Sequence, residues 1–476
     1  MYICIMQKYK FISTSLPYLN SSPHIGHAFE FVLADVIAEY HRYHGYNVLF
    51  NVGVDEHGQK IYQKAQEVGW GHNIQGYCVQ KAAEWKLFCN LFNINYDNFY
   101  RTSDGVHKAH VLRYYNDIEE YVYSKEYVGK YCVGCEAYVT EKDTINGKCS
   151  THNIKLEETS EVNKFFTLRQ FSDKIENVLV DKSKSKELEN IFKDDFDLSI
   201  TRQNVDWGIK TEHGETLYVW FEALLNYVFA AGLYTDNEKL DQYWGNSLII
   251  CGKDNLKFQA YILQALLIAN NLPQTSEVLV HGTILDEKGD KMSKSVGNII
   301  DPIDQLDKYG LDAVRYYLTF GLNTTGDSKY SEEDLVKKWN TEVVSGLGNL
   351  ISRTLHLIDI KGVEVPARGG NISNGFAITT NISDIDKAFE TYNFGEANKL
   401  LVRTVNRLNA RISNEKPFDK DCHNYAEILS EIHYELQGII PYYGLILKNS
   451  KDALESALEG TKKVILFDKI ELIVSE

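Results

Sequence analysis

The fold is decided by one segment near the N-terminus, residues 9–54, with the sequence YKFISTSLPYLNSSPHIGHAFEFVLADVIAEYHRYHGYNVLFNVGV. Residues 9–16 alternate between polar and apolar side chains, which predicts a β-strand. Residues 24–44 carry apolar side chains at helical spacing, and Gly45 is a natural stop for that helix. Residues 47–54 predict a second, buried strand. The order strand, helix, strand is typical of the opening of a parallel α/β sheet.

The rest of the chain continues this pattern with one interruption. From about residue 118 to 206 the character changes, which indicates an insertion. The α/β pattern then resumes, with predicted elements at 216–231, 247–252, 256–270 and 277–285. After about residue 339 the sequence predicts mostly helices.

Composition places the chain among globular proteins. Its 476 residues predict about three domains. Hydrophobic residues make up 44% and charged residues 24%, which excludes a wholly disordered chain. The net charge of −16 argues against a protein that coats nucleic acid non-specifically, although a local basic patch would still allow binding of one RNA. The sequence has no run of about 18 apolar residues and no signal peptide, so we expect a cytoplasmic protein without a membrane segment.

The first candidate motif is H-x-G-H, formed by His24, Gly26 and His27 at the predicted start of the first helix. Free backbone N–H groups and the helix dipole favour phosphate at such a position. Gly26 allows a ligand to approach the backbone, and the imidazoles can donate hydrogen bonds to phosphate oxygens. Alone, this motif is equally explained by two surface histidines.

The second candidate motif is K-M-S-K-S, residues 291–295, within a polar loop that contains two glycines. Lys291 and Lys294 can both reach one polyphosphate, and the loop can close after the ligand binds. Alone, such a run is most often a solvated loop. The two motifs together, with an insertion between them, resemble a class I aminoacyl-tRNA synthetase.

Five further segments are similar to the methionyl-tRNA synthetase family: SLPY (15–18), VDEHG (54–58), DLSITR (197–202), YVWFEA (218–223) and GKD (252–254). The similarity is strong from about residue 9 to 360 and weaker to about 420. It implies an α/β, Rossmann-like catalytic domain with a zinc-containing connective insertion and a C-terminal helical anticodon-binding domain. The implied boundaries are 1–117 and 207–275 for the two catalytic halves, 118–206 for the insertion, 276–338 for a connector with the K-M-S-K-S loop, and 339–476 for the helical domain.

A cysteine cluster supports this subtype. Cys132, Cys135, Cys149 and His152 form two knuckles, Cys-x2-Cys and Cys-x2-His. Four ligands at this spacing are typical of a closed, tetrahedral and therefore structural zinc site. The family carries such a knuckle in its insertion.

The resemblance also implies the roles of site residues. Those implied to drive catalysis are His24, His27, Lys291 and Lys294. Those implied to bind ATP are His24, Gly26, His27, Gly252, Asp254 and Lys294. Those implied to bind methionine are Leu16, Asp55, Trp220, Ala223 and Tyr227, with Asp55 holding the amino group. Glu30 and Arg202 match family positions near the site without an assigned role.

Some positions depart from the family pattern. The family usually has an aliphatic residue and, four positions on, a histidine near the methionine, where this chain has Asn255 and Gln259. Ile262-Leu263 replaces an expected Phe-Trp, and Glu222 stands where an aspartate is usual. These departures bear on which amino acid is bound and not on the adenylation chemistry.

In the helical region, Asn349 and Arg353 match the family's anticodon-reading helix, and Phe418 stands in the segment where the family usually has a tryptophan. Residues four apart share one helix face, and an aromatic ring can stack on an unpaired base. The resemblance therefore implies binding of the CAU anticodon of tRNA(Met).

The implied reaction is ATP- and Mg²⁺-dependent activation of methionine, followed by transfer to tRNA(Met), and we expect a monomer. Three alternatives remain open. The first is a paralogue that activates another amino acid or acts outside translation. The second is an inactive tRNA-binding regulator, against which the intact motifs count. The third is a small H-x-G-H nucleotidyltransferase, although such enzymes are much shorter.

Overall fold

The computed structural model describes residues 7–132, 137–139, 144–150, 154–193, 196–203, 205–292, 297–365, 380–459 and 467–473. The chain divides into two compact units. The first contains the described residues of Met1–Pro23, Gly45–Asn90 and Asn95–His281. The second contains those of His24–His44, Leu91–Ile94 and Gly282–Glu476.

The first unit is built on a five-stranded parallel sheet. Across the sheet, the strands follow the order Glu277–His281, Ser247–Gly252, Lys8–Thr14, Tyr46–Val54 and Asn98–Arg101. The strand Lys8–Thr14 is central and its last five residues are buried, as expected for a parallel strand covered on both faces. The order reverses beside this strand, and ligands bind at the carboxyl ends of strands at such a switch point. The predicted parallel α/β sheet is confirmed.

Helices flank this sheet within the first unit. They span Gln59–Glu67, Ile74–Leu91, Gly105–Asp117, Val219–Leu224, Asn226–Ala231, Asn237–Trp244 and Leu263–Ala269. The predicted element 216–231 is divided, because a short strand Thr216–Leu217 precedes two helices that meet at Leu225. A π-helical turn, Phe258–Ile262, leads into the helix Leu263–Ala269. Turns of this type are frequent at functional sites.

An antiparallel sheet occupies the predicted insertion. Its strands follow the order Ala137–Val139, Val122–Cys132, Glu157–Phe166 and Leu198–Ser199. A short hairpin pairs Thr144–Ile145 with Lys148–Cys149, and its turn at Asn146 and Gly147 has positive φ at both positions. The helix Ser185–Lys193 and the small strand pair Thr201–Arg202 with Thr216–Leu217 complete the described part of this region.

The second unit is mainly helical, and the predicted helical character after residue 339 is confirmed. Its α-helices are Ile25–Tyr43, Pro302–Tyr309, Leu311–Tyr316, Glu332–Lys338, Asn349–Lys361, Ile382–Glu390, Phe394–Glu415, Tyr425–Gly444 and Lys451–Leu458. Its π-helical segments are Tyr317–Gly321 and Trp339–Gly348. Among the helices that the structure describes, none is long and apolar enough to cross a membrane.

The predicted strand 277–285 ends at His281 and resumes only as the short strand Ile284–Leu285, which pairs with Ser328–Lys329. The reason lies at Gly282, where an added Cβ would stand 1.8 Å from the carbonyl oxygen of Gly326. The Gly282 N–H also turns to donate to the carbonyl of Thr324 at 3.0 Å.

A buried ion pair joins the first helix of the second unit to its later helices. Arg315 donates to Asp35 Oδ2 at 2.6 Å and to the carbonyl of Ile446 at 2.8 Å. Lys448 approaches the same carboxylate at 3.2 Å, and burial lowers the pKa of this lysine. Breaking a pair of this kind leaves an uncompensated buried charge, so the arrangement holds the helix Ile25–Tyr43 in one position within its unit.

Candidate active site

A buried carboxylate marks the carboxyl edge of the sheet. Asp55 directly follows the strand Tyr46–Val54 and is 2% exposed. Its backbone N–H donates to the carbonyl of Pro17 at 2.9 Å, and its carbonyl accepts from the N–H of Leu19 at 3.3 Å. The segments that follow the first two strands therefore run side by side, with the Asp55 side chain fixed at the topological switch point.

Aromatic rings form a wall in the same unit. Tyr18 meets the ring of Trp220 edge to face, with centroids 5.8 Å apart. Trp220 stacks on Phe258 at 3.7 Å with an interplanar angle of 12°. A backbone bridge between Tyr18 and Asp55 holds the segment that carries these rings beside the segment that carries the carboxylate.

The two helices after residue 218 supply the remaining pocket residues that the sequence predicted. Ala223 and Tyr227 are buried, and Leu16 is half-buried. Tyr227 Oη accepts a hydrogen bond of 2.7 Å from Nε2 of Gln259. The structure thus brings Gln259, one of the departures from the family pattern, into direct contact with a predicted pocket residue. Asn255, another departure, is half-buried in the one-turn helix Lys253–Asn255.

A buried polar network lies beside Asp55. Glu222 accepts from His57 Nδ1 at 2.8 Å and contacts His107 Nε2 at 2.6 Å, and His107 Nδ1 lies 3.0 Å from Tyr100 Oη. Burial lowers the pKa of His57 to about 3, with the nearby Lys108 acting in the same direction. Burial also lowers the pKa of His107 and raises that of Glu222. Two neutral imidazoles can each donate one N–H to the same carboxylate. Among the described residues, the other nitrogen of His57, Nε2, has no hydrogen-bond partner.

Sequence reasoning missed His57 and His107. His57 lies in the segment VDEHG (54–58) but was given no role there. Glu222 was noted only as a departure from the family pattern. His107 carries no local signal, because its partner Glu222 is 115 residues away.

Gly252 and Asp254 lie where the strand Ser247–Gly252 ends, at the same carboxyl edge. Gly252 is half-buried, and a Cβ added there would stand 3.5 Å from the ring of His281. Asp254 is exposed. Arg202 is buried; it donates to the carbonyls of Ser199 and Thr201, and its guanidinium lies 4.1 Å from the ring centroid of Tyr218.

In the second unit, the H-x-G-H histidines cap their own helix. Nδ1 of His24 accepts from the N–H of Gly26 at 3.1 Å, and Nδ1 of His27 accepts from the N–H of His24 at 3.2 Å. The two rings stack with centroids 3.7 Å apart. A Cβ at Gly26 would lie 2.9 Å from His24 Cε1, so a larger residue there would displace the capping ring. Since each Nδ1 accepts, each neutral ring carries its proton on Nε2, which makes both histidines hydrogen-bond donors through that atom.

The lysine loop is anchored before and after the residues that the structure leaves undescribed. Asp286 and Asp290 close a tight turn, with the N–H of Asp286 donating to the carbonyl of Asp290 at 2.9 Å. Asn298 Nδ2 donates to Asp286 Oδ2 at 2.8 Å. Lys291 is exposed at the start of the loop. Lys294 lies outside the described residues. Glu30 is buried on the histidine helix.

Two of the four predicted metal ligands are described. Cys132 and Cys149 are both buried in one small cluster with Leu156. The backbone N–H of Cys149 donates to the carbonyl of Ile154 at 3.0 Å. Cys135 and His152 lie outside the described residues. Within the described parts of the chain, no group of three potential ligands comes together.

The predicted anticodon residues lie on the surface of the helical unit. Asn349 is exposed, Arg353 is half-exposed, and Phe418 is 49% exposed directly after the buried Pro417. Lys361, at the end of the helix Asn349–Lys361, donates to the carbonyl of Asp419 at 3.4 Å. Phe418 is therefore near the C-terminal end of that helix, and Arg353 lies eight residues, or about 12 Å, back along it.

Comparison with known proteins identifies the class. The sequence profile described as "tRNA synthetases class I (M)" matches residues 10–164 and 142–355. The methionyl-tRNA synthetase of Mycobacterium tuberculosis in complex with methionyl-adenylate superposes with a TM-score of 0.86 at 26% identity, covering 94% of each chain. The fold and these matches define a class I aminoacyl-tRNA synthetase.

Individual relatives narrow this class. A methionine–tRNA ligase of Caldanaerobacter subterraneus subsp. tengcongensis is 36% identical over 368 residues, or 74% of this chain and 57% of that protein. A methionine–tRNA ligase of Ureaplasma parvum is 31% identical over 494 residues, covering 97% of this chain and 92% of that protein. The chain belongs to the methionine family of class I tRNA synthetases. It spans a little over half the length of the Caldanaerobacter relative.

The predicted family and the predicted Rossmann-like fold with a helical C-terminal region are confirmed. The zinc site, the domain boundaries and the roles of individual site residues stay predictions.

Proposed function

We propose that this protein activates methionine with ATP and transfers it to tRNA(Met). The observation that carries the proposal is the buried Asp55 carboxylate at the switch point of the sheet, on a segment whose backbone is bridged to Tyr18, the ring that meets Trp220. An α-amino acid with an unbranched apolar side chain needs both features. The matched relatives, whose names describe methionine–tRNA ligases, support the choice of methionine.

Amino-acid binding follows from the chemistry of the pocket. The Asp55 carboxylate pairs with the substrate ammonium group, since a buried carboxylate favours a cationic partner. Leu16, Trp220, Ala223 and Tyr227 surround the side chain. An apolar pocket separates side chains that differ by one methylene by only ~1–3 kcal/mol, so the aromatic wall selects size and shape coarsely.

Adenylation needs positioning rather than a general base. The methionine carboxylate is already a nucleophile, and its oxygen attacks the α-phosphorus of Mg²⁺-bound ATP while pyrophosphate leaves. The Nε2–H groups of His24 and His27 donate to phosphate oxygens, because their Nδ1 atoms are held by the helix cap. Lys291 and Lys294 neutralise the charge that develops on the phosphates, and Gly252 and Asp254 meet the ribose and adenosine. Mg²⁺ supplies further charge neutralisation when it is bound with ATP.

Transfer places the acyl group on the terminal ribose of the tRNA. Asn349 and Arg353 hydrogen-bond to edges of anticodon bases, and the exposed ring of Phe418 offers a face for stacking. Because the chain carries a net charge of −16, binding depends on such local contacts more than on overall attraction.

A structural zinc ion is proposed at Cys132, Cys135, Cys149 and His152. The support is that Cys132 and Cys149, 17 residues apart, are buried in the same cluster. Thiolates and an imidazole are the donors that zinc prefers. The ion would hold together a region of short strands and small buried area.

A second candidate, a family paralogue that activates another amino acid, is favoured by the hydrogen bond between Gln259 and Tyr227. The experiment that decides is ATP–pyrophosphate exchange with each of the twenty amino acids. Methionine is expected to give the highest kcat/KM. A higher value for any other amino acid would replace the proposed function with the paralogue.

A further inference from the structure

A cavity of about 230 Å³ lies within the second unit, far from the histidine motif. Its walls come from three helices of that unit, Ile25–Tyr43, Tyr425–Gly444 and Lys451–Leu458. Glu39, which lines it, follows His27 by twelve residues on the first helix, or about 18 Å along the axis. The cavity is therefore separate from the phosphate site proposed at the start of that helix.

Most of the cavity lining is apolar. It includes the buried side chains of Ile440, Leu445 and Leu454, together with Pro441 and the exposed ring of Tyr43. An apolar cavity of ~150 Å³ is large enough for benzene, so this one has room for a branched aliphatic or an aromatic group. Burial of such a group is favourable because it removes apolar surface from water.

Two of the four charged residues that line the cavity are paired with each other. Glu39 Oε1 accepts from Arg42 Nη1 at 2.9 Å. Glu39 Oε2 lies 3.6 Å from Nζ of Lys448, so both oxygens of this carboxylate have a cation beside them. The wall formed by the helix Ile25–Tyr43 thus has its carboxylate charge compensated within the protein.

The other two charged residues, Lys451 and Glu455, lie on the helix Lys451–Leu458. They are four residues apart and share one face of that helix. Within the described part of the chain, neither side chain has a hydrogen-bond or ion-pair partner. A lysine that precedes a glutamate by four positions is in the weaker orientation for an ion pair within a helix, so both charges stay available to a ligand.

We propose that this cavity binds a free α-amino acid with an apolar side chain. Lys451 Nζ donates to the α-carboxylate, Glu455 accepts from the α-ammonium group, and the apolar side chain enters the cavity. The terminus of a peptide carries only one of these two charges beside its side chain, so a free amino acid matches the site better. The proposal concerns a second site and does not depend on the proposed function.

The first test compares ligands on the full wild-type chain by calorimetry, with L-leucine as the probe. Leucine is expected to bind measurably at concentrations up to about 10 mM. Two analogues each lack one charge, 4-methylpentanoate without the ammonium group and 3-methylbutylamine without the carboxylate, and each is expected to bind about fivefold more weakly. L-Alanine keeps both charges but lacks three side-chain carbons, so its affinity should be lower by at least about tenfold. Absence of leucine binding, or equal affinities for leucine and both analogues, overturns the proposal.

The second test locates the site with matched variants. Lys451→Met should weaken leucine binding by about fivefold and leave 3-methylbutylamine unchanged, since that ligand has no carboxylate. Glu455→Gln should weaken leucine binding equally and leave 4-methylpentanoate unchanged. Lys420→Met, at another exposed lysine of the same unit, should bind leucine as wild type does. Asp55→Asn should also leave leucine binding unchanged. A loss of leucine binding in Asp55→Asn, with no effect of the two helix variants, would place leucine in the adenylation pocket and overturn the proposal. Absence of methionine-dependent pyrophosphate exchange in wild type would refute only the proposed function.

Discussion

Replacing Asp55 by asparagine tests the proposed binding of the substrate ammonium group. Asp55 Oδ1 accepts two long hydrogen bonds of 3.4 Å, from the backbone N–H of His57 and from Thr102 Oγ1. An asparagine oxygen can accept both, so the substitution removes the negative charge and leaves the local fold intact. Because Asp55 is 2% exposed, water does not take the place of the missing carboxylate charge beside the substrate ammonium group.

The substitution is expected to weaken substrate binding by the energy of one buried, charge-assisted hydrogen bond. Such a bond contributes about 1.5–3 kcal/mol, or about 10- to 150-fold in a dissociation constant. The KM for methionine in pyrophosphate exchange should rise by this factor in Asp55→Asn, with little change in melting temperature. Asp241→Asn, an exposed carboxylate on the helix Asn237–Trp244, should leave KM unchanged.

A substrate analogue completes the comparison. Methionine without its amino group, 4-(methylthio)butanoic acid, has no charge for Asp55 to meet. It should inhibit wild type and Asp55→Asn equally. A KM for methionine within twofold of wild type in folded Asp55→Asn, or an equal loss for both ligands, would refute the assignment of Asp55 to the ammonium group.

Four further predictions follow from the same account. Lys294→Ala should lower amino-acid-dependent pyrophosphate exchange by ~10²-fold with the fold retained, since electrostatic stabilisation of this kind is worth that much; unchanged exchange would remove the role. Elemental analysis should find one zinc ion per chain in wild type and in Cys422→Ser, and none in Cys135→Ser. Wild-type protein without zinc would contradict the proposed metal site. Because the folded pKa of His57, about 3, lies below its unfolded value of 6.5, the contribution of this residue to stability is complete above pH 6.5 and falls as the pH drops towards 3. The free energy of unfolding in urea should fall by about 1–2 kcal/mol from pH 7 to 5 in wild type and by less in His57→Phe. An equal fall in the two proteins would contradict this role of His57. Arg353→Ala should reduce tRNA charging by at least about fivefold and leave pyrophosphate exchange intact, because base contacts of this kind are worth ~1–3 kcal/mol. Parallel losses in both assays would exclude a tRNA-specific role.

Local sequence patterns predicted the first helix and the strands on either side of it, because those segments follow their periodicities closely. The predicted helix 24–44 is observed as Ile25–Tyr43, and the predicted strand 47–54 as Tyr46–Val54. The pattern failed where a contact distant in sequence decides the backbone. The strand predicted for 277–285 stops because Gly282 lies against Gly326, and periodicity carries no information about that neighbour.

The residues of the candidate site were likewise predicted only in part. Residues within short motifs, such as Asp55 and Trp220, were identified through the family resemblance, and in the structure both adjoin Tyr18. The His57–Glu222–His107 network was not predicted, because its members come from three separate segments and each looks ordinary in its own. The capping of the first helix by its own histidines was also not predicted, since the motif indicates a phosphate site but not which ring nitrogen faces it.

The central claim is that this protein joins methionine to tRNA(Met). The most direct measurement is aminoacylation by the purified chain with ATP, Mg²⁺ and labelled methionine, comparing tRNA(Met) bearing a CAU anticodon with the same tRNA changed at the first anticodon base. Methionine should be esterified to the CAU tRNA at least about fivefold faster than to the altered tRNA, since loss of one stacked and hydrogen-bonded base costs ~1–3 kcal/mol. No acylation of the CAU tRNA by methionine, in a preparation that still binds ATP, would contradict it.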